Sequence, residues 1–304
     1  MRFGMPHLGL RRTRRYLTSS KRGIVCRNLN IRGNARALGP RTADLLSELM
    51  AEGRLVFSTR DVERYTGVST ARARSLARDL VDRNLAVRLK SSLFAIVPFE
   101  YREVSDFAPN AYLVARALAE PHPYYLSHRT AMEIHRMTTQ PQLTIFICYT
   151  RRKKNEVVFG TEYRFIPRQR QAIFGTMKHW VAGGISVEVS DPERTIVDGL
   201  AEPEHAGGIP EVGKAIQIAR SHLDINRLAE YAMRLHIKAV VRRLGYLLEL
   251  YSLASAELVE RLRSDLGPSI EILDPTLPRE GRFMRRWGLQ LNVSSEELLA
   301  VAAT

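Results

Sequence analysis

Residues 67–80, GVSTARARSLARDL, combine hydroxyl and guanidinium side chains at helical spacing. The candidate binding residues in this stretch are Ser69, Thr70, Arg72, Arg74, Ser75 and Arg78. A guanidinium group can donate two hydrogen bonds to guanine or pair with a phosphate, and a Ser or Thr hydroxyl can donate to a phosphate. This chemistry indicates recognition of nucleic acid. The alternative interpretation is an amphipathic helix whose arginines form a solvated face, because arginine is a good helix former.

The spacing of apolar residues separates two faces of this helix. The predicted buried face, which would pack on the two preceding helices, consists of Ala73, Leu76, Ala77, Leu80 and Val81. The candidate binding residues fall on the other face, with Arg72 toward one flank. Asp79 and Asp82 follow at the far end. We therefore expect only the first half of the helix to contact nucleic acid.

The surrounding elements must position this face. A helix is predicted from Pro40, a second one begins after the N-cap Ser58, and a turn at Gly67 leads into the third. Two short apolar runs then predict a hairpin that ends at Pro98. This order is typical of a winged helix-turn-helix over residues 37–98, in which the third helix lies in the major groove. Arg88 and Lys90 flank the hairpin tip, the wing, and are added to the predicted DNA contacts.

The positive charge of the chain is concentrated at its start. The 304 residues carry a net charge of +14, and residues 1–36 hold ten of the 46 basic residues and no acid. Such a basic arm, predicted to be disordered, is typical of weak, salt-sensitive contact with an anionic polymer. Two alternatives remain open, a leader without a role and an organelle transit peptide.

The number of cysteines and the hydropathy of the chain indicate where in the cell the protein is located. Cys26 and Cys148 are the two cysteines and lie far apart, which argues against a disulfide framework or a zinc site built from cysteines. No apolar run approaches the roughly 18 residues that a membrane helix needs. The sequence therefore predicts a cytoplasmic protein with no membrane contact.

Beyond the winged helix, the pattern predicts a linker over residues 99–109 and a second domain over residues 110–304. Apolar runs such as TIFICY and ISVEVS predict strands, and the sequence that follows them predicts a helical bundle segment. The expected fold class is α+β, with a winged helix-turn-helix followed by a mixed α/β domain. The basic run at 151–154 is predicted to be a solvated hairpin loop, and a phosphate or acidic-partner contact is the alternative.

The sequence lacks the usual signatures of catalysis. It has no Walker A loop, no G-x-S-x-G elbow and no H-E-x-x-H pair. His128 and His135 share a predicted helix face, and we expect packing rather than metal ligation. A metal-dependent nuclease would need converging acids, and Glu188 is the single acid within TIFICY and ISVEVS. We predict no catalytic residue, no metal and no cofactor.

The most distinctive sequence motifs can be explained by helix caps, turns and packing. In D-P-E-R-T-I-V-D, Asp191 can cap the helix that begins at Pro192, and Arg194 can pair with Asp198 one turn later. Residues 207–210 predict a turn and a helix start. Gly245 costs about 1 kcal/mol inside a helix, so we expect it to allow the close approach of another helix.

The motifs D-P-E-R-T-I-V-D, A-G-G-I-P-E-V and R-R-L-G-Y-L-L-E, in this order behind the winged helix, resemble the AbiEi family of antitoxins from abortive-infection, type IV toxin–antitoxin systems. The resemblance covers most of residues 37–260. It implies a transcriptional repressor that binds inverted repeats in the double-stranded operator DNA upstream of its own operon, with self-association on DNA. It also implies a C-terminal domain that counteracts a nucleotidyltransferase-like toxin. The implied DNA contacts are the positions named above, and no toxin contact is carried over.

The leading functional hypothesis is therefore a sequence-specific repressor and antitoxin that is not an enzyme. Two alternatives stay open. The protein could be an interaction protein that neutralises a partner enzyme, with incidental DNA binding, or a nucleic-acid-processing enzyme fused to a winged helix.

Overall fold

The structure is a computed structural model that describes residues 39–98, 107–141, 143–182, 184–264 and 266–301. The predicted basic arm at 1–36 and most of the predicted linker lie outside these ranges. Residues 38–304 form one compact unit of mixed α and β structure. No helix within the described ranges is long and apolar enough to cross a membrane.

The first region combines three helices with a small antiparallel sheet, in the strand order β1-β3-β2. Its elements are α1 (Pro40–Ala51), β1 (Val56–Ser58), α2 (Thr59–Thr66), α3 (Thr70–Asp82), β2 (Ala86–Lys90) and β3 (Leu93–Ile96). The predicted helices and hairpin are confirmed, and β1 is a third strand that the sequence analysis missed. The core of this region joins Leu45, Leu49 and Phe57 to the apolar face of α3.

Local residue chemistry sets the boundaries of α2. Ser58 and Asp61 form the reciprocal capping box at its start, with the Asp61 amide donating to Ser58 Oγ at 3.3 Å. Gly67 ends the helix at φ +65°, a left-handed conformation that glycine adopts without steric cost. The chain therefore reverses direction between α2 and α3 in the space of Gly67, Val68 and Ser69.

The second region is built on a six-stranded sheet with the order β6-β7-β5-β4-β9-β8. Its elements are α4 (Ala111–Ala119), β4 (Tyr124–Leu126), α5 (His128–Ile134), β5 (Thr144–Tyr149), β6 (Glu156–Val158), β7 (Thr161–Pro167), β8 (Thr176–Ala182) and β9 (Ile185–Ser190). Two neighbouring pairs, β5 with β7 and β4 with β9, run parallel, and the other pairs are antiparallel.

The helical bundle segment follows the sheet and has its own core. Its elements are α6 (Pro192–Ala201), α7 (Ile209–Ala219), α8 (Ile225–Arg234), α9 (Lys238–Leu250) and α10 (Ala256–Arg263), then β10 (Glu271–Ile272), β11 (Arg282–Met284), β12 (Leu289–Leu291) and α11 (Ser295–Val301). The fully buried Trp287 sits in this core beside Leu244 and Leu247. The predicted cap of α6 is confirmed, since Asp191 Oδ1 accepts from the Arg194 amide at 2.7 Å.

The small sheet packs against the larger sheet and α4. Val56, Val87 and Leu93 belong to the same buried cluster as Leu113 of α4 and Val187 of β9. Polar groups reinforce this contact. Arg54 Nη1 donates to Glu120 Oε2 at 3.1 Å, and Lys90 Nζ lies 2.5 Å from Glu156 Oε2. The first region is therefore joined to the second by both apolar and ionic contacts.

Two expectations about individual residues need correction. The run at 151–154 is not a hairpin loop, because it leads from β5 to β6, and β6 pairs with β7 instead of β5. The space beside Gly245 is not filled by another helix. The ring of Trp287 occupies the space, and a Cβ added at Gly245 would lie 2.1 Å from it. Gly245 is therefore required by a tryptophan that comes from the turn before β12.

Candidate nucleic-acid interface

The third helix exposes most of the residues predicted to bind DNA. We define the α3 face as the exposed side chains of Ser69, Thr70, Arg72, Arg74, Ser75 and Arg78. On the opposite side Ala73, Ala77 and Leu80 are fully buried, and Leu76 and Val81 pack partly against the same core. The predicted division of this helix into a buried and an exposed side is confirmed.

The arginines of the α3 face are weakly tied to the protein. Arg78 Nε donates to the Arg74 carbonyl at 3.3 Å. The guanidinium groups of Arg72 and Arg74 have no hydrogen-bond or ion-pair partner within the described ranges. Ser69 caps α3 by position but accepts no hydrogen bond through its side chain, so its hydroxyl is also uncommitted. These groups are free to contact a ligand without first breaking an internal bond.

A cleft of about 570 Å³ borders this face and adds residues that the sequence analysis did not select. Its lining joins Arg72 and Ser75 of α3 to Gly39 and Arg41 at the start of α1. The start of a helix carries free amide groups and the positive end of its dipole, both of which favour anions. Arg41 is separated from α3 in sequence, so only the packing of α1 on α3 brings it here.

The two predicted residues of the hairpin differ in their surroundings. Arg88 is exposed, and its guanidinium donates to the Lys90 and Ser91 carbonyls at 3.3 and 3.4 Å. Lys90 is half-buried, and its ammonium group pairs with Glu156 of β6. Burial raises the pKa of Glu156, but the hydrogen bonds from Lys90 and Lys153 outweigh it and lower that pKa. The charge of Lys90 is therefore partly offset by Glu156, in a pair that is still accessible to water.

A second group of arginines is buried beneath the six-stranded sheet. We define the polar network as Tyr125, His128, Arg168, Arg194, Asp198 and Glu202. Arg194 and Asp198 are at most 1% exposed and pair at 3.0 Å, so the predicted pairing is confirmed in a buried setting. Arg194 Nη2 also donates to Tyr125 Oη at 2.8 Å. The sequence motif D-P-E-R-T-I-V-D thus places an ion pair between helix and sheet.

The other half of the network centres on His128, which is fully buried. Its Nδ1 lies 2.9 Å from Ser127 Oγ and its Nε2 lies 3.0 Å from Glu202 Oε2. The backbone of His128 is left-handed at φ +50°, a strained conformation for a residue with a side chain. Arg168 donates to both carboxylate oxygens of Glu202 and so closes the network.

Burial and charge act in opposite directions on these groups. Burial lowers the pKa of His128, but its contacts with Cys148 and Glu202 outweigh this effect and raise the pKa to about 9. Burial raises the pKa of Glu202, but hydrogen bonds from His128 and Arg168 lower it well below its usual value. The ion pair of His128 and Glu202 is therefore charged at neutral pH.

The histidines that share a predicted helix face do not come together. His128 begins α5, whereas His135 follows its last residue and contacts the Ser190 carbonyl through Nε2 at 2.6 Å. Within the described residues there is no group of three or more His, Cys, Asp or Glu side chains arranged to hold a metal ion.

No protein-family model matches the chain, and no curated protein sequence matches it either. Among solved structures, the chain is similar to the crystal structure of the RV2827C protein from Mycobacterium tuberculosis. The two share 16% sequence identity with a TM-score of 0.61, over 90% of this chain and 98% of the other. At this identity the similarity shows a shared α+β fold and nothing further.

Proposed function

We propose that residues 37–98 form a winged helix-turn-helix that binds double-stranded DNA through the α3 face. The observation that carries this proposal is the pairing of an apolar, fully buried side of α3 with an exposed side of uncommitted guanidinium and hydroxyl groups. The order of the helices and the left-handed turn at Gly67 support this proposal. In a helix-turn-helix, the recognition helix follows a short turn of this kind and enters the major groove.

The proposed contacts divide into two chemical roles. Arg74 lies in the first half of α3 and is assigned to base edges, where arginine binds guanine O6 and N7. Arg78, one turn further along, is the last residue of α3 assigned to DNA, and it is assigned to a phosphate. Ser69, Thr70, Ser75 and Arg72 are assigned to phosphates, together with Arg41 at the start of α1. Arg88 is assigned to the flanking backbone. Lys90 contributes less, since Glu156 already holds its ammonium group.

The biological role that we propose is repression of the protein's own operon combined with antitoxin activity against a nucleotidyltransferase-like toxin. Support for this part is the resemblance of residues 37–260 to AbiEi antitoxins. It implies a toxin gene beside the gene for this protein. Co-expression tests it: the protein should restore the growth of cells that express that toxin, and continued growth arrest would contradict the antitoxin role.

The DNA-binding proposal is tested by fluorescence anisotropy on DNA from upstream of the gene and on a shuffled duplex, across a salt series. We expect tight binding to the native site that survives deletion of residues 1–36. Arg74→Ala should weaken it, and the matched control Arg220→Ala, on an exposed arginine after α7, should not. Equal affinity for both duplexes, steep in salt and lost with residues 1–36, would instead mean that counterion release by the basic segment supplies the binding.

A further inference from the structure

A basic pocket of about 490 Å³ lies at one end of the six-stranded sheet. Four arginines line it, namely Arg151, Arg152, Arg168 and Arg170. No acidic side chain is part of its lining within the described ranges. None of these four arginines belongs to the α3 face, and none is among the proposed DNA contacts.

Sheet topology explains how two distant arginine pairs meet. Arg151 and Arg152 follow β5, and Arg168 and Arg170 follow β7. These strands are parallel neighbours, with Tyr149 opposite Pro167 at their carboxyl ends. The Arg168 amide then donates to the Tyr149 carbonyl at 2.8 Å and holds the two exit loops side by side. In open sheets with parallel strands, the crevice outside the carboxyl ends of the strands is where ligands bind.

The arginines differ in how firmly they are held. Arg168 is 14% exposed, and Glu202 accepts hydrogen bonds from both of its terminal nitrogens. Glu202 is in turn held by the buried His128. Burial lowers the pKa of Arg168, but its interactions with Cys148, Glu202 and Asp198 outweigh this effect and raise that pKa. Arg168 is therefore a fixed wall of the pocket whose charge is offset by Glu202, and anion binding would fall mainly to the other three arginines.

The remaining three arginines are exposed, and their side chains have no hydrogen-bond or ion-pair partner in the described part of the chain. Like charges that converge on one concave surface repel each other, and a bound anion relieves that repulsion. A carboxylate brings a single negative charge. A phosphate group brings up to two charges and three acceptor oxygens, which suits several guanidinium forks at once.

We propose that this pocket binds a phosphate group, carried either by a nucleic-acid backbone or by a free diphosphate or triphosphate. The proposal goes beyond the DNA-binding role assigned to α3. The pocket is formed by the segments that follow β5 and β7 and by His122 and Pro123, which precede β4, and none of its lining residues belongs to the first region. It also gives a function to Arg151 and Arg152 of the basic run at 151–154.

The test compares two triple variants of the full chain that lose the same charge. The pocket variant is Arg151→Gln, Arg152→Gln and Arg170→Gln. The control variant is Arg220→Gln, Arg261→Gln and Arg279→Gln, which alters exposed arginines elsewhere. Inorganic pyrophosphate is titrated by calorimetry at fixed ionic strength, and a shuffled duplex is titrated by anisotropy. Thermal unfolding shows that both variants fold.

We expect pyrophosphate to bind the wild-type protein and the control variant, and to bind the pocket variant at least about tenfold more weakly. If pyrophosphate binds none of the proteins but duplex affinity falls about tenfold in the pocket variant alone, the phosphate belongs to a nucleic-acid backbone and the proposal stands. If neither probe distinguishes the two variants, the proposal is wrong. The α3 face is intact in both variants, so this failure would leave the DNA-binding proposal for α3 untouched.

Discussion

Two arginine–aspartate pairs of this protein join residues four positions apart, yet the two pairs have opposite surroundings. At the end of α3, Nε of Arg83, the residue that follows the helix, lies 2.9 Å from Asp79 Oδ1, and both side chains are partly exposed. In α6, Arg194 Nε lies 3.0 Å from Asp198 Oδ1 and both side chains are buried. The distance is nearly the same, but water screens only the first pair.

The difference shows that charge count alone does not identify a binding surface. Arginines of the polar network have their charge offset by Asp198 and Glu202, and most of their donors are used within the chain, although Nη1 of Arg194 has no hydrogen-bond partner. Arginines of the α3 face are exposed to water and keep free donors. A buried arginine paired with a carboxylate supports the fold, whereas an exposed arginine without a partner is available to a ligand.

The largest expected effect comes from breaking the buried pair. Asp198→Ala leaves the Arg194 guanidinium buried without its carboxylate, and we expect a loss of about 3–5 kcal/mol in the free energy of unfolding. Asp79→Ala, which breaks the exposed pair at the same spacing, should cost only about 0.3–0.5 kcal/mol. Urea unfolding measures both. Similar losses for the two variants would mean that burial does not distinguish the pairs.

A smaller effect is expected from pH. The pKa of His128 is raised from 6.5 to about 9 in the folded protein, so folding favours the protonated ring. The resulting stabilisation is fully present below about pH 6.5 and is lost as the pH rises through about 9. It amounts to about 3 kcal/mol.

Unfolding free energies between pH 6 and pH 9.5 measure this effect. The wild-type protein should lose stability over this range more steeply than a His128→Gln variant. His222→Gln, a control on an exposed histidine, should keep the wild-type slope. A His128→Gln variant with the wild-type slope would show that another group causes the pH dependence.

The third prediction concerns the α3 face. Arg74→Ala should weaken binding to the native upstream site by about 1–3 kcal/mol if Arg74 contacts a base. The same variant should change the free energy of unfolding by less than about 0.5 kcal/mol, because its side chain is exposed and unpaired. Anisotropy and urea unfolding on one preparation give both numbers. Unchanged affinity would mean that the assignment of α3 as the recognition helix is wrong.

The smallest effect is expected at Lys90. Glu156→Gln removes the carboxylate that holds the Lys90 ammonium group, so the lysine becomes free to contact phosphate. Binding to native and shuffled duplexes should then tighten alike, and the dependence of log affinity on log salt should steepen by about 1. The variant Glu296→Gln, on an exposed glutamate of α11, removes the same charge far along the chain. An equal change in both variants would mean that net charge alone is responsible.

Sequence reasoning succeeded where the determining interactions are local. The two sides of α3, the N-cap Ser58 and the turn at Gly67 depend on residues within one or two helical turns, and all three were predicted. The strand β1 was missed because three residues are too few to show an alternating pattern.

The features that were not predicted depend on contacts between residues that lie far apart in the sequence. His128 meets Glu202 across 74 positions, and neither residue has a spacing that indicates the other. Arg151 and Arg170 come together only because β5 and β7 pair in parallel. Gly245 was correctly singled out as a site of close approach, but its partner Trp287 lies outside any pattern that includes the glycine. The arginines of α3 were therefore found from sequence, and the basic pocket was not.

The packing of the small sheet on the larger one has a mechanical consequence. Val56, Val87 and Leu93 are buried in the same cluster as Val187 of β9, and Arg54 and Lys90 are fixed to Glu120 and Glu156. Swivelling the first region against the large sheet would expose this apolar surface and break these ion pairs, so the packing opposes that motion. A force applied at α3 would therefore be carried into the large sheet.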